Sequence, residues 1–215
     1  TTSSPISQPK ALAFDWGGVF TLGTFDSSAV RALAELIGRR VEDVEPIYLD
    51  LMAEFEAGRL DLPGFHQRFS GACGSATDLR SFRETFLGAV RERPETYALL
   101  EALPRGVRLG VLSNNVAELC DLVRDDPRMA RFEAFVFSNE LRVRKPDPAA
   151  YQGLVDALGE QPGDVVFVDD NPDNVAAARR FGLRALLFGP GFPTAFSEQF
   201  PDVTLPAAFA APAWR

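Results

Sequence analysis

Histidine is nearly absent from this chain: His66 stands alone among 215 residues. One imidazole excludes zinc sites built on several histidines and argues against a Ser-His-Asp triad, so His66 reads as a helix-surface residue. Cysteine is almost as scarce. Cys73 and Cys120 fall in separate helical stretches and cannot build the disulfide framework of a small secreted domain, which makes both structural thiols. No apolar run approaches the roughly 20 residues of a membrane span. Basic residues form no dense cluster, and 22 Lys+Arg against 30 Asp+Glu give a formal net charge of −8. That balance argues against a nucleic-acid-binding face and obliges any anionic ligand to find a local cation. The opening "TTSSPISQPK" lacks the apolar centre of a signal peptide; it reads as a short disordered lead, and the expected address is cytoplasmic.

What the chain does contain is alternation. Short apolar runs at "ALAFDW", "VRLGVLS", "FEAFVFS", "DVVFVDD" and "LRALLFG" have the length and bounding residues of buried strands. Helical periodicity lies between the later runs: Leu119, Leu122 and Val123; Tyr151, Leu154, Val155 and Leu158; Val175 and Ala178. Strands alternating with helices predict an α/β fold, a Rossmann-like parallel sheet covered on both faces. Residues 25–93 break the rhythm with four helical patterns and no convincing strand, which predicts a small helical-bundle cap inserted into a core formed by residues 1–24 and 94–215. Emerging after the first strand, such an insertion lies where open α/β sheets bind ligands and can close over a site. The last stretch is rich in proline and phenylalanine and ends near Trp214. So many rings predict packing on the core or on a second subunit, which makes a homodimer one expectation.

Asp15, Ser113, Lys145 and the pair Asp169 and Asp170 all fall at strand ends or adjoining helix starts, which converge in a doubly wound sheet. Each has an ordinary reading: a structural acid, an N-cap, a solvated loop lysine, a helix start with capping acids in "VDDNPDN". Together they fit phosphoryl transfer. Asp15 offers a carboxylate able to attack phosphorus, and the acid pair could hold a hard divalent cation, with magnesium fitting best. Such dense negative charge itself calls for metal. Ser113 and the backbone after it can hold phosphate oxygens near a helix start. Lys145 balances charge, Pro146 suits the first turn of the next helix, and Arg144 is the poorer candidate because adjacent side chains diverge.

Taken in order, "FDWGGVF", "VLSNN", "VRKPDPAAY" and "VFVDDNPDNVAAARRFG" resemble the four motifs of haloacid dehalogenase-like hydrolases. The inserted helices look like that family's small cap, and "FEAGRLDLPGF" is similar to its helix-turn-helix. Within the superfamily the first motif resembles the D-x-G-[GN]-V subgroup, which includes glucose-1-phosphate phosphatases and relatives of the phosphatase domain of soluble epoxide hydrolases. The resemblance implies that Asp15 is a nucleophile forming an aspartyl phosphate. It implies that Asp15, the Gly17 carbonyl and Asp170 bind Mg2+, with Asp169 acting directly or through water. Ser113 and Lys145 would hold the phosphate, Asn114 would shape their loop, and Asn174 matches a frequent polar position.

Gly17 departs from that pattern, since most phosphatases of the superfamily carry there an aspartate that protonates the leaving oxygen. A general acid is worth about 10² to 10⁴ in rate. Three readings follow: a phosphatase of a small phosphorylated metabolite with a good leaving group, such as a sugar 1-phosphate; a phospho-ligand-binding protein with little turnover; or a 2-haloacid dehalogenase, whose relatives dispense with the acid pair present here. Glycine also has a bland explanation, a turn or a close contact that a side chain would disrupt. Arg59, in "EAGRL", reads as a solvated turn residue.

Overall fold

The computed structural model describes residues 8–210. Among them no helix is long and apolar enough to cross a membrane. The lead residues 1–7 and Trp214 lie outside the described residues.

Each of the five apolar runs forms a strand. The chain begins with β1 (Ala11–Phe14) and passes through α1 (Phe25–Ile37), α2 (Val41–Glu56), α3 (Leu62–Cys73) and α4 (Leu79–Gly88). It continues through α5 (Pro94–Ala102), β2 (Arg108–Ser113), α6 (Ala117–Asp125), β3 (Phe132–Phe137), the single turn α7 (Ser138–Leu141) and α8 (Pro148–Leu158). The remainder is β4 (Val165–Asp169), α9 (Pro172–Phe181), β5 (Arg184–Leu187) and α10 (Phe192–Gln199). All strand pairs are parallel, in the order β3-β2-β1-β4-β5. The strands can be apolar throughout because helices cover both faces. Alternation along β1 shows this: Leu12 and Phe14 belong to one buried cluster, Ala11 and Ala13 to the other. The second cluster is completed by Tyr151 and Leu154 of α8 and Val175 and Ala178 of α9.

Sequence punctuation explains the helices of the inserted segment. Thr24, Asp61 and Asp78 cap α1, α3 and α4 by accepting backbone N–H bonds from Ser27, Gly64 and Ser81, and Gly38 and Gly74 end α1 and α3 in the left-handed conformation. Inside the bundle Phe65, Phe69, Phe82 and Phe86 are fully buried and in mutual ring contact. Burying one such side chain contributes roughly 1.5–3 kcal/mol. The chain leaves the sheet and returns to it side by side, with Leu22 N donating to Arg91 O at 2.7 Å and Arg93 N to Phe20 O at 2.8 Å. Packing does not stop at this neck: Trp16 and Phe20 continue the bundle's apolar cluster into the sheet.

Three expectations need adjustment. Leu122 is 46% exposed, so α6 packs through Leu119, Cys120 and Val123 instead. His66 is half-buried against Phe82, with Nε2 2.7 Å from the Thr77 carbonyl oxygen, and so pins the turn after α3. Of the two fates for the aromatic tail, the described residues show packing on the core: Phe192, Phe196, Phe200 and Phe209 are buried in the same cluster as β1.

Candidate active site

Strand order reverses between β1 and β4, and the crevice at the C-terminal ends of the strands opens there. Phe14 pairs with Val168, so the next residues out, Asp15 and Asp169, stand level and on the same face. Asp15 N donates to Val168 O at 2.8 Å and fixes this step. Between the two carboxylates lies the ammonium of Lys145, 2.9 Å from Asp15 Oδ2 and 2.6 Å from Asp169 Oδ2, over the ring of Phe167. Lys145 is 3% exposed. Its main chain is held by Asn114, whose Nδ2 donates to Lys145 O at 3.0 Å while Oδ1 accepts from Lys145 N at 2.8 Å. Asn174 Nδ2 donates to both oxygens of Asp169, and Asn171 N donates to Oδ1.

Burial pushes Asp15 up to about 7; Lys145 opposes the shift, and Asp169 and Asp170 add to it. Burial also works against the charge on Lys145, but Asp15 and Asp169 outweigh it and hold the ammonium above its usual range. Asp170 is raised by burial and by Asp169.

One carboxylate oxygen from each of Asp15, Asp169 and Asp170 lies within 4.8 Å of the others. Lys145, Asn171 and Asn174 crowd Asp169, whereas among the described residues Asp15 accepts only from Lys145 and from Trp16 N and no side chain bonds to Asp170, so Asp170 and then Asp15 are the freer donors. Among the described residues no backbone hydrogen bond outside helices and strands ends on the Gly17 carbonyl, which leaves it available as a third oxygen. An all-oxygen, anionic donor set fits a hard divalent cation such as Mg2+. The neighbouring glycine explains how the acids come so close. Gly18 has φ +74°, and a Cβ there would stand 2.0 Å from Asp170 Oδ2. At Gly17 a Cβ would meet nothing within 4 Å, and the backbone is not left-handed. The turn and close contact suggested for Gly17 therefore belong to Gly18.

Ser113 ends β2, is 2% exposed and lines the cavity above the acids. It is not a helix cap: α6 starts only at Ala117, after Val116. The intervening residues are committed to tertiary contacts, with Asn114 on Lys145 and Asn115 N donating to Ser138 Oγ at 2.9 Å. Pro146 likewise lies ahead of α8, which begins at Pro148 after the N-cap Asp147.

The cavity measures about 440 Å³, and the helical segment forms its other wall through Asp26, Met52 and Glu56. Sequence reasoning missed this wall. Arg144 reaches it, with Nη2 2.5 Å from Glu56 Oε2. Burial pushes Glu56 up to about 7, with Arg144 opposing and Asp26 adding to the shift. Burial also raises Asp26, although the Tyr48 hydroxyl donates to its Oδ1 at 2.8 Å. Ser138 Oγ donates to Glu56 O at 2.5 Å, and Arg142 donates to Gly58 O, so the turn after α2 is tied to α7. Arg59 is exposed and does not line the cavity.

The sequence profile of the haloacid dehalogenase-like hydrolases matches residues 9–182. A haloacetate dehalogenase of Moraxella sp. is 36% identical over 118 residues, 53% of this chain, which spans about half (52%) of that enzyme's length. A phosphatase of Mycobacterium tuberculosis is 31% identical over 185 residues, covering 80% of this chain and 69% of that protein. A HAD family enzyme of Bacteroides thetaiotaomicron, solved in complex with magnesium and inorganic phosphate, shares the fold. Its TM-score is 0.70 at 18% identity, covering 83% of this chain and 93% of the other.

Proposed function

The chain belongs to the haloacid dehalogenase-like hydrolase family, and from that premise we propose that it is a magnesium-dependent phosphomonoesterase acting on a small phosphorylated metabolite. The observation that carries this reading is the cluster of Asp15, Asp169 and Asp170, whose carboxylate oxygens lie within 4.8 Å of one another, with Lys145 between the first two. An anionic phosphate can enter so acidic a site only if its charge is met. Magnesium held by Asp15, Asp170 and the Gly17 carbonyl, with Asp169 behind them, would supply that neutralisation.

The chain's own residues divide the remaining work. An Asp15 oxygen attacks phosphorus and forms an aspartyl phosphate, which water then hydrolyses. Lys145 keeps that oxygen aimed and shares the charge; Asn114, through both amide bonds, keeps Lys145 in place. The Ser113 hydroxyl holds a phosphate oxygen. Helices α1–α4 act as a cap that closes the cavity and excludes water. The first motif's likeness to glucose-1-phosphate phosphatases supports a leaving group that departs readily, in keeping with Gly17.

A second reading, dehalogenation, is favoured by the Moraxella relative and by Gly17, since halide departs without a proton. Phosphate and halide release, measured on aryl and sugar phosphates and on chloroacids with and without magnesium, separate the two. Phosphate release that needs magnesium and drops on the order of 10⁴-fold in Asp15→Asn supports the phosphatase. Halide release without metal would establish the dehalogenase. Binding of phosphate esters with no turnover would make the chain a phospho-ligand-binding protein.

A further inference from the structure

The acid that Gly17 does not supply has a counterpart across the cavity. In-line displacement puts the departing oxygen on the far side of phosphorus from the attacking carboxylate. Asp15 lies at the sheet, so the far side faces the helical wall, where Asp26 and Glu56 are the two acids. Asp26 already accepts the Tyr48 hydroxyl. Glu56 is 8% exposed, and Arg144 anchors its Oε2. Neither oxygen accepts a regular hydrogen bond from a described residue, Oε2 having only the Arg144 ion pair, which leaves the carboxyl group for a ligand.

Resting on the phosphatase reading, we propose that Glu56 is the catalytic acid and base that takes the place of the missing carboxylate at Gly17. In the first step an Asp15 oxygen bonds to phosphorus, the bond from phosphorus to the alcohol oxygen breaks, and the Glu56 proton passes to that oxygen. In the second, water bonds to phosphorus, the Asp15–phosphorus bond breaks, and the water's proton returns to Glu56. Ester and water become alcohol and phosphate, with no further reactant. The surroundings suit a group that must both give and take a proton. Burial and Asp26, itself bonded to Tyr48, favour the neutral acid, while Arg144 and Lys145 favour the carboxylate. The balance falls at about 7, where both forms are populated near neutrality. Arg144 also fixes this acid to the loop that carries Lys145, so donor and phosphate site move together.

The test compares initial rates on an aryl phosphate and an alkyl phosphate, with magnesium, for wild type, Glu56→Gln, Asp26→Asn and the double variant Gly17→Asp/Glu56→Gln. An aryl oxide departs without a proton, so the aryl rate also reports whether each variant is folded. Glu56→Gln is expected to lose about 10²-fold or more on the alkyl ester and only a few-fold on the aryl ester. The decline in wild-type alkyl turnover as pH rises through 7 should vanish with it. Asp26→Asn, which removes a charge favouring the neutral Glu56 but leaves the proton donor, should lower the alkyl-to-aryl ratio far less than Glu56→Gln does, and Gly17→Asp, whose Cβ would meet nothing within 4 Å, should return at least about tenfold of the lost alkyl rate. Equal losses on both esters in Glu56→Gln, a selective alkyl loss in Asp26→Asn as large as that in Glu56→Gln, or a double variant without rescue would overturn the assignment. A wild type that releases phosphate from neither ester overturns the phosphatase reading itself, and this one with it.

Discussion

The two walls of the cavity are built on opposite terms. On the sheet side three buried charges answer one another beside the open carboxylate of Asp170: Lys145 bridges Asp15 and Asp169, Asn174 and Asn171 complete Asp169, and Asn114 fastens Lys145 by both ends of its amide. On the helical side Glu56 has one anchored oxygen, Asp26 has one donor, and the buried Nε of Arg144 has none among the described residues. A saturated network is stiff and costly to disturb, whereas a partly satisfied one keeps valences for a ligand. Chemistry common to many substrates belongs on the first wall, and choice among substrates on the second.

The largest test of this contrast removes the cation from the sheet wall. Lys145→Met should cost about 3–5 kcal/mol in urea unfolding, because two buried carboxylates would face each other unpaired. In metal-free buffer the variant should regain stability on acidification. Its folded Asp15 binds a proton more tightly than the unfolded chain does, so stability is present below the unfolded value of 3.8 and is lost as pH rises. The loss should extend past the about 7 that Asp15 has with Lys145 in place. A Lys145→Met protein as stable as wild type would mean the network is not tight.

A smaller effect separates the adjacent glycines. Gly18→Ala should lose about 1–2 kcal/mol from its left-handed backbone, and magnesium affinity as well, since the new Cβ displaces Asp170. Gly17→Ala should stay within about 0.5 kcal/mol of wild type. Smallest on the helical side is Tyr48→Phe, which removes the donor to Asp26 and should cost about 1 kcal/mol, with the aryl phosphatase rate retained. A loss there as large as that in Lys145→Met would erase the distinction between the walls.

The sheet was legible because a strand covered on both faces must be apolar throughout, and few other segments are. Helices α1–α4 were legible because their apolar residues recur at helical spacing. Asp15 and Asp169 could be read as strand-end acids, but nothing in "DWGGV" says which glycine is pressed against Asp170; only the backbone angle does. Arg144 was set aside because neighbours diverge. They do diverge: Lys145 turns to the sheet acids and Arg144 to Glu56 across the cavity. Asp26 and Glu56 were invisible for a different reason, since an acid on an amphipathic helix ordinarily faces solvent. Ser113 resembled an N-cap because the next residues are polar, yet those side chains and amides bind Lys145 and Ser138 and delay the helix.

One hydroxyl joins the walls. Ser138 Oγ has a single proton, given to the Glu56 carbonyl at 2.5 Å, while the Asn115 carbonyl waits at 3.4 Å. Should the turn after α2 withdraw, that proton has a second acceptor in reach and no orphaned donor is left behind. At this point of the seam, parting needs only the swing of one O–H bond, at far less than the cost of burying an unanswered donor; the arginines that also span it, Arg142 on Gly58 O and Arg144 on Glu56, are exposed or half exposed and can turn to water.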